Sequence, residues 1–281
     1  MNLQDAFGFV AFFYSIANLL SMGMELDVKE ATRQLKNPKL PVLALLFSWV
    51  LGPALAYGII QLLPLEEGYK TGLFIFSLAP TAPAMPMFIR MAKADMSFAA
   101  ALIPLSFVGT VIMMPLLANV FIPGLQVSAY EIAKPLFLTV LLPLVAGILF
   151  QKYAETAAKK VFPWIKKIAG ISTLLLLAFT LGFYWKEFIA ALGTWAIGAQ
   201  VFFVVTIAAI TYYLSFGYNH AQRSSMSLGI CTRNGGAMFV AITAFPVIDP
   251  QLLVFILLAV PIPIIVWYFL SKFYARRATV K

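Results

Sequence analysis

Two stretches decide the fold of this chain: SLAPTAPAMP at residues 77–86 and LGICTRNGGA at residues 228–237. The first has three prolines within seven residues, and each proline removes a backbone donor and clashes with the preceding helical turn. The second places an arginine, an amide and two glycines in the middle of an apolar run. An arginine at the centre of a membrane helix costs about 2.5–3.5 kcal/mol. Both stretches therefore predict helices that break within a membrane and are shielded from lipid.

The composition around these stretches is that of an integral membrane protein. Of the 281 residues, 62% are apolar and 11% are charged, and the mean hydropathy is +0.92. Soluble domains are about 45–50% apolar and about 25% charged. The apolar content excludes a disordered chain, and the single cysteine, Cys231, excludes a disulfide scaffold.

The hydropathy pattern predicts about nine membrane-spanning helices, because about 20 mainly apolar residues are needed for each crossing. The runs are too long and too evenly apolar for the strands of a membrane β-barrel. The fold class is therefore all-α, a single polytopic membrane domain over residues 1–281. The expected spans are residues 7–25, 40–62, 70–89, 96–120, 134–151, 166–185, 193–217, 223–246 and 251–271.

The basic residues predict the orientation of these spans. Sixteen of the twenty Lys and Arg fall in one set of alternate loops and termini, three fall in the other set, and Arg233 lies inside a span. Cytoplasmic loops carry the excess of Lys and Arg. We therefore expect the N-terminus outside and the C-terminus in the cytoplasm, in a plasma or inner membrane. The net charge of +9 is a topology signal, so the expected partner is the lipid bilayer and no nucleic acid partner is expected.

The order of the spans predicts an inverted repeat. The broken third span precedes one that contains Pro104 and Pro115, and the broken eighth precedes one that contains Pro261 and Pro263. Secondary transporters place pairs of discontinuous helices at corresponding positions of two inverted repeats, and their substrates bind where these helices meet. Two repeats of five helices each would give nine helices if the first helix of the first repeat is missing.

Four short motifs resemble the bile acid:sodium symporter family over nearly the whole chain. They are SMGMELD at residues 21–27, NPK at residues 37–39, Ala79-Pro80, and RNGG at residues 233–236. The resemblance implies a ten-helix fold, here without its first helix, in which two broken helices of a core domain cross beside a panel domain. On this map the core is approximately residues 40–122 and 193–272 (helices 2–4 and 7–9), and the panel is approximately residues 6–26 and 134–186 (helices 1, 5 and 6).

The chain departs from the family pattern where the family binds sodium. The second broken helix of the family typically reads Glu-x-x-x-Gln-Asn, and the sodium-binding Glu and Gln align with Gly229 and Arg233. The first broken helix usually has Pro-Gly-Gly followed by Ser-Asn, where this chain has residues 80–82, PTA, followed by Met85-Pro86. Hard cations take oxygen ligands, and these residues offer few. We therefore expect no metal site or cofactor, and coupling to sodium is not expected.

Arg233 has two alternative roles. Its guanidinium could occupy the space of the missing sodium ions and donate to carbonyls left free at the half-helix ends. Alternatively, it could pair with an anionic group of the substrate. The variant Arg233→Gln separates the two roles. The residues expected to form the crossover and bind substrate are Pro80, Thr81, Pro83, Met85, Pro86, Thr232, Arg233, Asn234 and Gly235.

These residues predict a secondary active or facilitative transporter that moves an amphipathic organic solute by alternating access, independently of sodium. The solute would be bile acid-like, sterol-like or another organic anion. Two alternatives remain open: a sodium-coupled symporter with altered sodium sites, and a lipid-binding membrane receptor without transport. No catalytic constellation lies within the spans, so we expect no enzymatic activity. The sequence does not predict an oligomeric state.

Overall fold

The structure, a computed structural model, describes residues 3–122, 125 and 127–278. Residues 1–2, 123–124, 126 and 279–281 lie outside this description. They include Lys281, one of the sixteen basic residues that were used to predict the orientation. The described residues contain sixteen α-helices and no extended β-strand. In chain order the helices are α1 (Leu3–Glu25), α2 (Val28–Leu35), α3 (Lys39–Leu46), α4 (Gly52–Leu62), α5 (Glu67–Ser77), α6 (Met85–Met91), α7 (Met96–Phe121), α8 (Ala129–Leu136), α9 (Leu142–Tyr153), α10 (Glu155–Phe183), α11 (Trp185–Ala190), α12 (Ala196–Leu214), α13 (His220–Cys231), α14 (Gly235–Ile242), α15 (Pro250–Leu258) and α16 (Pro261–Ala278).

Several of these helices join into longer rods. One π-helical turn, Phe47–Leu51, connects α3 to α4, and a second, Phe137–Leu141, connects α8 to α9. A proline follows each turn, at Pro53 and Pro143. Proline cannot donate to the preceding turn, so a local change in hydrogen bonding accompanies it. Both rods are long and apolar enough to cross a membrane.

The expected number of nine spans is not confirmed. In the described part of the chain, six helical stretches are long and apolar enough to cross, and the bent pair of α1 and α2, which meet at 79°, makes a seventh. The two broken segments, α5 with α6 and α13 with α14, consist of helices of 7 to 12 residues. Each of these four helices is shorter than the about 20 residues that one membrane crossing needs.

The sixth span begins earlier than predicted. The sequence assigned the lysines at positions 159, 160, 166 and 167 to the loop before this span, whereas α10 runs from Glu155 and contains all four. Its first turns are polar and exposed, and Lys159 pairs with Glu155 across one turn at 2.7 Å. A helix can continue beyond the apolar layer when its lysines extend into water, and hydropathy does not detect that extension.

Helix α1 packs against α9 and α10. Glycines allow close contact with α9, since a Cβ on Gly23 would lie 2.2 Å from the carbonyl oxygen of Leu144, and one on Gly147 would lie 2.3 Å from that of Leu20. Small residues allow such backbone contact between membrane helices. These helices are the ones that the sequence assigned to the panel. The division into panel and core stays a prediction.

Candidate functional site

The two broken helices cross through their backbones. Residues 78–84 follow α5, and residues 232–234 follow α13. Pro80 and Arg233 form an isolated antiparallel β-bridge between them. The Thr81 N–H donates to the Thr232 carbonyl at 2.7 Å, and the Asn234 N–H donates to the Ala79 carbonyl at 3.0 Å. Unwound backbone is thus paired inside the protein, as the membrane interior requires.

Side chains add to this pairing. The Thr81 hydroxyl donates to the Gly229 carbonyl at 2.9 Å, and the Thr232 hydroxyl accepts from the Ala82 N–H at 3.2 Å. Thr81 has a φ of +69°, which is rare for a β-branched residue. Such strained backbone persists only where surrounding contacts hold it, and it is frequent at functional sites.

Asn234 begins the second half-helix. Its side-chain oxygen accepts from the Ala237 N–H at 3.0 Å and caps α14. Among the described residues, the amide nitrogen of the same side chain is buried without a hydrogen-bond partner. A Cβ on Gly236 would lie 3.3 Å from the Ser15 hydroxyl and 3.4 Å from the Asn234 oxygen, so this amide lies close to α1.

Arg233 is the largest fully buried side chain among the described residues, with 1% of its surface exposed. Its Nη1 donates to the Ser77 carbonyl at 3.0 Å, at the last residue of α5, while α13 ends two residues before Arg233. A helix C-terminus carries a partial negative charge, so the end of α5 is a favourable neighbour for this cation. Nε and Nη2 of Arg233 are buried without a hydrogen-bond partner among the described residues.

Two aromatic rings complete the surroundings of the guanidinium. Its carbon lies 4.8 Å from the centre of the Phe203 ring and 5.7 Å from that of Phe76. These rings meet edge to face at 5.5 Å. Cation–π contacts gain strength when they are desolvated. Sequence reasoning missed both residues, because 25 phenylalanines are spread along the chain and only the fold selects these two.

The position of Gly229 tests whether the family's sodium ligands fit here. An added Cβ would lie 2.7 Å from the side chain of Leu102 and 3.4 Å from the Met85 sulfur. Apolar side-chain atoms therefore lie next to the Cβ position of the aligned glutamate. At the other aligned position, the guanidinium of Arg233 lies against Phe203. Neither aligned position supplies a side-chain oxygen.

A cavity of about 650 Å³ lies beside the crossover. It is lined by α1, α10, the region from Pro83 to Arg90, and Ile264 of α16. Pro83 and Pro86 line it, and their role in substrate binding stays a prediction. Its walls are mainly apolar, and Asn18 and Thr173 add polar groups.

The remaining predicted site residues do not line this cavity. Pro80, Thr81, Thr232, Arg233 and Asn234 are buried at the crossover itself. Two more lie next to the crossover: Gly235 begins α14, and the buried Met85 begins α6.

The fold and site together define a polytopic helical membrane protein whose two broken helices cross beside a cavity. The model of the Sodium Bile acid symporter family matches residues 14–191, which is more than half of the chain. This chain belongs to the sodium bile acid symporter family.

Three relatives are plant chloroplast proteins. The chain is 26% identical over 213 residues to the probable sodium/metabolite cotransporter BASS2 of Oryza sativa subsp. japonica, which covers 75% of this chain and 51% of the relative. It is 23% identical over 217 residues to BASS3 of Arabidopsis thaliana, covering 76% and 50%. It is 27% identical over 165 residues to BASS1 of the same plant, covering 58% and 41%. The chain thus spans about half the length of the curated relatives it matches.

Proposed function

We propose that this chain is a membrane carrier that moves an amphipathic organic anion by alternating access and does not require sodium. The observation that carries the proposal is the buried guanidinium of Arg233, which donates to the end of α5 at 3.0 Å. Discontinuous transporter helices direct their C-terminal ends towards a coupling cation. A permanent cation from the chain itself takes that role here.

The surroundings of Gly229 support the same conclusion. A side chain at this position would meet apolar atoms, because an added Cβ would lie 2.7 Å from Leu102 Cδ1, which must shift, and 3.4 Å from the Met85 sulfur. Without the family's carboxylate, a sodium ion would have to exchange its hydration water for only a few backbone carbonyl ligands. Burying the sodium ion without enough ligands costs more free energy than its contacts with those carbonyls would return.

The cavity supports an organic substrate. Its volume of about 650 Å³ falls within the range of about 300–1,000 Å³ that is typical of small-molecule sites. Apolar walls suit the body of an amphipath, and Arg90, Lys166 and Lys167 line it with positive charge. An organic anion complements both features.

Alternating access requires two bodies that move against each other. In this proposal, one body contains α1, α9 and α10, of which α1 and α9 pack closely through Gly23 and Gly147. The other contains the crossover. The cavity lies between α1 and α10 on one side and α6 on the other, where relative movement would open or close it.

Orientation and location belong to the same proposal. The excess of basic residues on one side supports a cytoplasmic C-terminus and an external N-terminus in a plasma or inner membrane. Fusion of a reporter enzyme to the C-terminus, active on only one side of the membrane, tests the orientation.

The test of sodium independence is uptake into proteoliposomes with sodium replaced by choline. The probe is radiolabelled 2-naphthoate, an aromatic carboxylate that fits the cavity volume. We expect equal initial rates in the two salts, and an increase of tenfold or more with sodium would overturn sodium independence. In the matched variant Arg233→Gln, sodium is expected to raise the thermal midpoint more than in the wild type, because the half-helix end is freed for a cation.

A sodium-coupled symporter is the second candidate, and the printed names of the relatives favour it, since each is a probable sodium/metabolite cotransporter. The same salt replacement decides between the two candidates. A third candidate, a receptor without transport, predicts binding of 2-naphthoate to the purified protein but no accumulation in proteoliposomes.

A further inference from the structure

A three-way ion pair lies at the edge of the cavity. The Glu25 carboxylate accepts from Arg90 Nη1 at 3.1 Å and from Lys166 Nζ at 3.3 Å. Glu25 ends α1, Lys166 lies on α10, and Arg90 lies near the end of α6. The carboxylate therefore joins helices from the two sides of the cavity, and all three residues line it.

The charges here are not balanced. Arg90, Lys166 and Lys167 are the cations that line the cavity, and Glu25 is the anion among its lining residues. One carboxylate shared by two cations, with a third cation close by, leaves an excess of about two positive charges. Basic groups concentrated in a cleft with low-dielectric walls attract anions from solution.

The ion pairs are accessible and can be exchanged. The exposed fractions of the side chains are 34% for Glu25, 47% for Arg90 and 51% for Lys166. Ion pairs with this exposure contribute little net free energy, because water competes for both partners. A second carboxylate that arrives with an apolar body can therefore displace Glu25, since burial of that body adds free energy that Glu25 does not supply.

We propose that Arg90 and Lys166 bind the anionic group of the substrate and that Glu25 occupies this subsite while the cavity is empty. This assignment deepens the proposed carrier function and rests on it. The apolar body of the substrate then lies against Met87, Leu177 and Ile264, and its carboxylate replaces that of Glu25 between the two cations. Glu25 acts as an internal competitor that selects for anions able to fill the cavity.

Direct binding measurements test the assignment. The protein is reconstituted in nanodiscs of phosphatidylcholine, and binding of 2-naphthoate and of its neutral analogue 2-naphthamide is measured by calorimetry. Glu25→Gln is expected to tighten 2-naphthoate binding about threefold or more, since the internal competitor is removed. Arg90→Gln and Lys166→Gln are expected to weaken it about fivefold or more, and Arg90→Lys is expected to recover part of the loss.

Matched controls lie on α10, the helix that contains Lys166. Glu155 and Lys159 form an exposed pair at 2.7 Å outside this cavity. Glu155→Gln changes the net charge as Glu25→Gln does, and Lys159→Gln changes it as Lys166→Gln does. Both variants are expected to leave 2-naphthoate binding within about twofold of the wild type. Binding of 2-naphthamide is expected to be the same in every variant. Circular dichroism of each variant verifies that it is folded.

Each outcome separates the subsite from the carrier function. If 2-naphthoate does not bind to the wild type or to Glu25→Gln, or if Glu25→Gln and Arg90→Gln bind it equally, the subsite assignment is overturned. Accumulation of 2-naphthoate in proteoliposomes at a rate that Glu25→Gln and Arg90→Gln leave unchanged also overturns the assignment and leaves the carrier function standing. Charge-dependent binding without any accumulation supports the subsite and contradicts the carrier function.

Discussion

Arg233 and Ser77 are joined across the crossover by a hydrogen bond of 3.0 Å from the guanidinium to the last carbonyl of α5. The bond orients the charged group towards Phe76 and Phe203 in the interior. Asn234, the next residue along the chain, begins α14 near α1. In extended backbone, successive side chains point in opposite directions. The two polar residues at the break therefore have different surroundings.

The orientation of the Arg233 side chain predicts that it does not bind the anionic group of the substrate. In Arg233→Gln we expect the affinity for 2-naphthoate to stay within about twofold of the wild type, because Arg233 does not line the cavity. Calorimetry in nanodiscs measures it, with Arg90→Gln as the comparison. A tenfold loss in Arg233→Gln would favour the alternative that the guanidinium pairs with the substrate.

Phe203 is expected to stabilise the buried charge. Phe203→Leu removes the ring that lies 4.8 Å from the guanidinium carbon and leaves space in the core. The expected loss of unfolding free energy is about 2–3 kcal/mol. The control is Phe202→Leu on the same helix, where the side chain is 52% exposed and the expected loss is under about 0.5 kcal/mol. Unfolding in mixed micelles measures both, and equal losses would exclude a special role for Phe203.

Thr232 is expected to hold the two broken helices together. Thr232→Val keeps the shape of the side chain but removes the acceptor of the Ala82 N–H, which lies 3.2 Å from the hydroxyl. A buried donor left without a partner costs about 1–3 kcal/mol. Thr232→Ser keeps the hydroxyl and is expected to lose less than Thr232→Val. The same unfolding measurement compares them, and a larger loss in Thr232→Ser would show that packing of the methyl group is decisive.

The contact between α1 and α9 is expected to require glycine. Gly147→Ala would place a methyl group 2.3 Å from the Leu20 carbonyl oxygen, so the helices must separate. Such overpacking costs about 1–3 kcal/mol. Gly182→Ala on α10 is the control, since nothing lies within 4 Å of its Cβ position, and alanine there is expected to be neutral or to stabilise by up to about 1 kcal/mol. Thermal unfolding in detergent distinguishes the two variants.

The breaks in the two helices could be predicted from the sequence because their cause is local. Three prolines near position 83 and the charge of Arg233 prevent a continuous lipid-facing helix wherever the rest of the chain lies. The start of α10 could not be predicted in the same way. Its first turns contain exposed lysines, and hydropathy reports only the apolar part of a helix.

The candidate site could be predicted only in part, since its geometry depends on residues far apart in the chain. Pro83 and Pro86 line the cavity, whereas Arg233 lies apart from it at the crossover. Arg90 and Lys166 come together at Glu25 across 65 and 141 positions of sequence. No local pattern contains such pairings, because they follow from helix packing.

The sequence by itself determined a helical membrane protein with two broken spans, because apolar content, proline and buried charge act on the chain locally. Only the tertiary structure decided which groups surround Arg233, namely the Ser77 carbonyl and the rings of Phe76 and Phe203. The physical reason is that the cost of burying a charge depends on which dipoles and rings surround it. At residues 77–86 and 228–237 those surroundings form only when the two stretches cross.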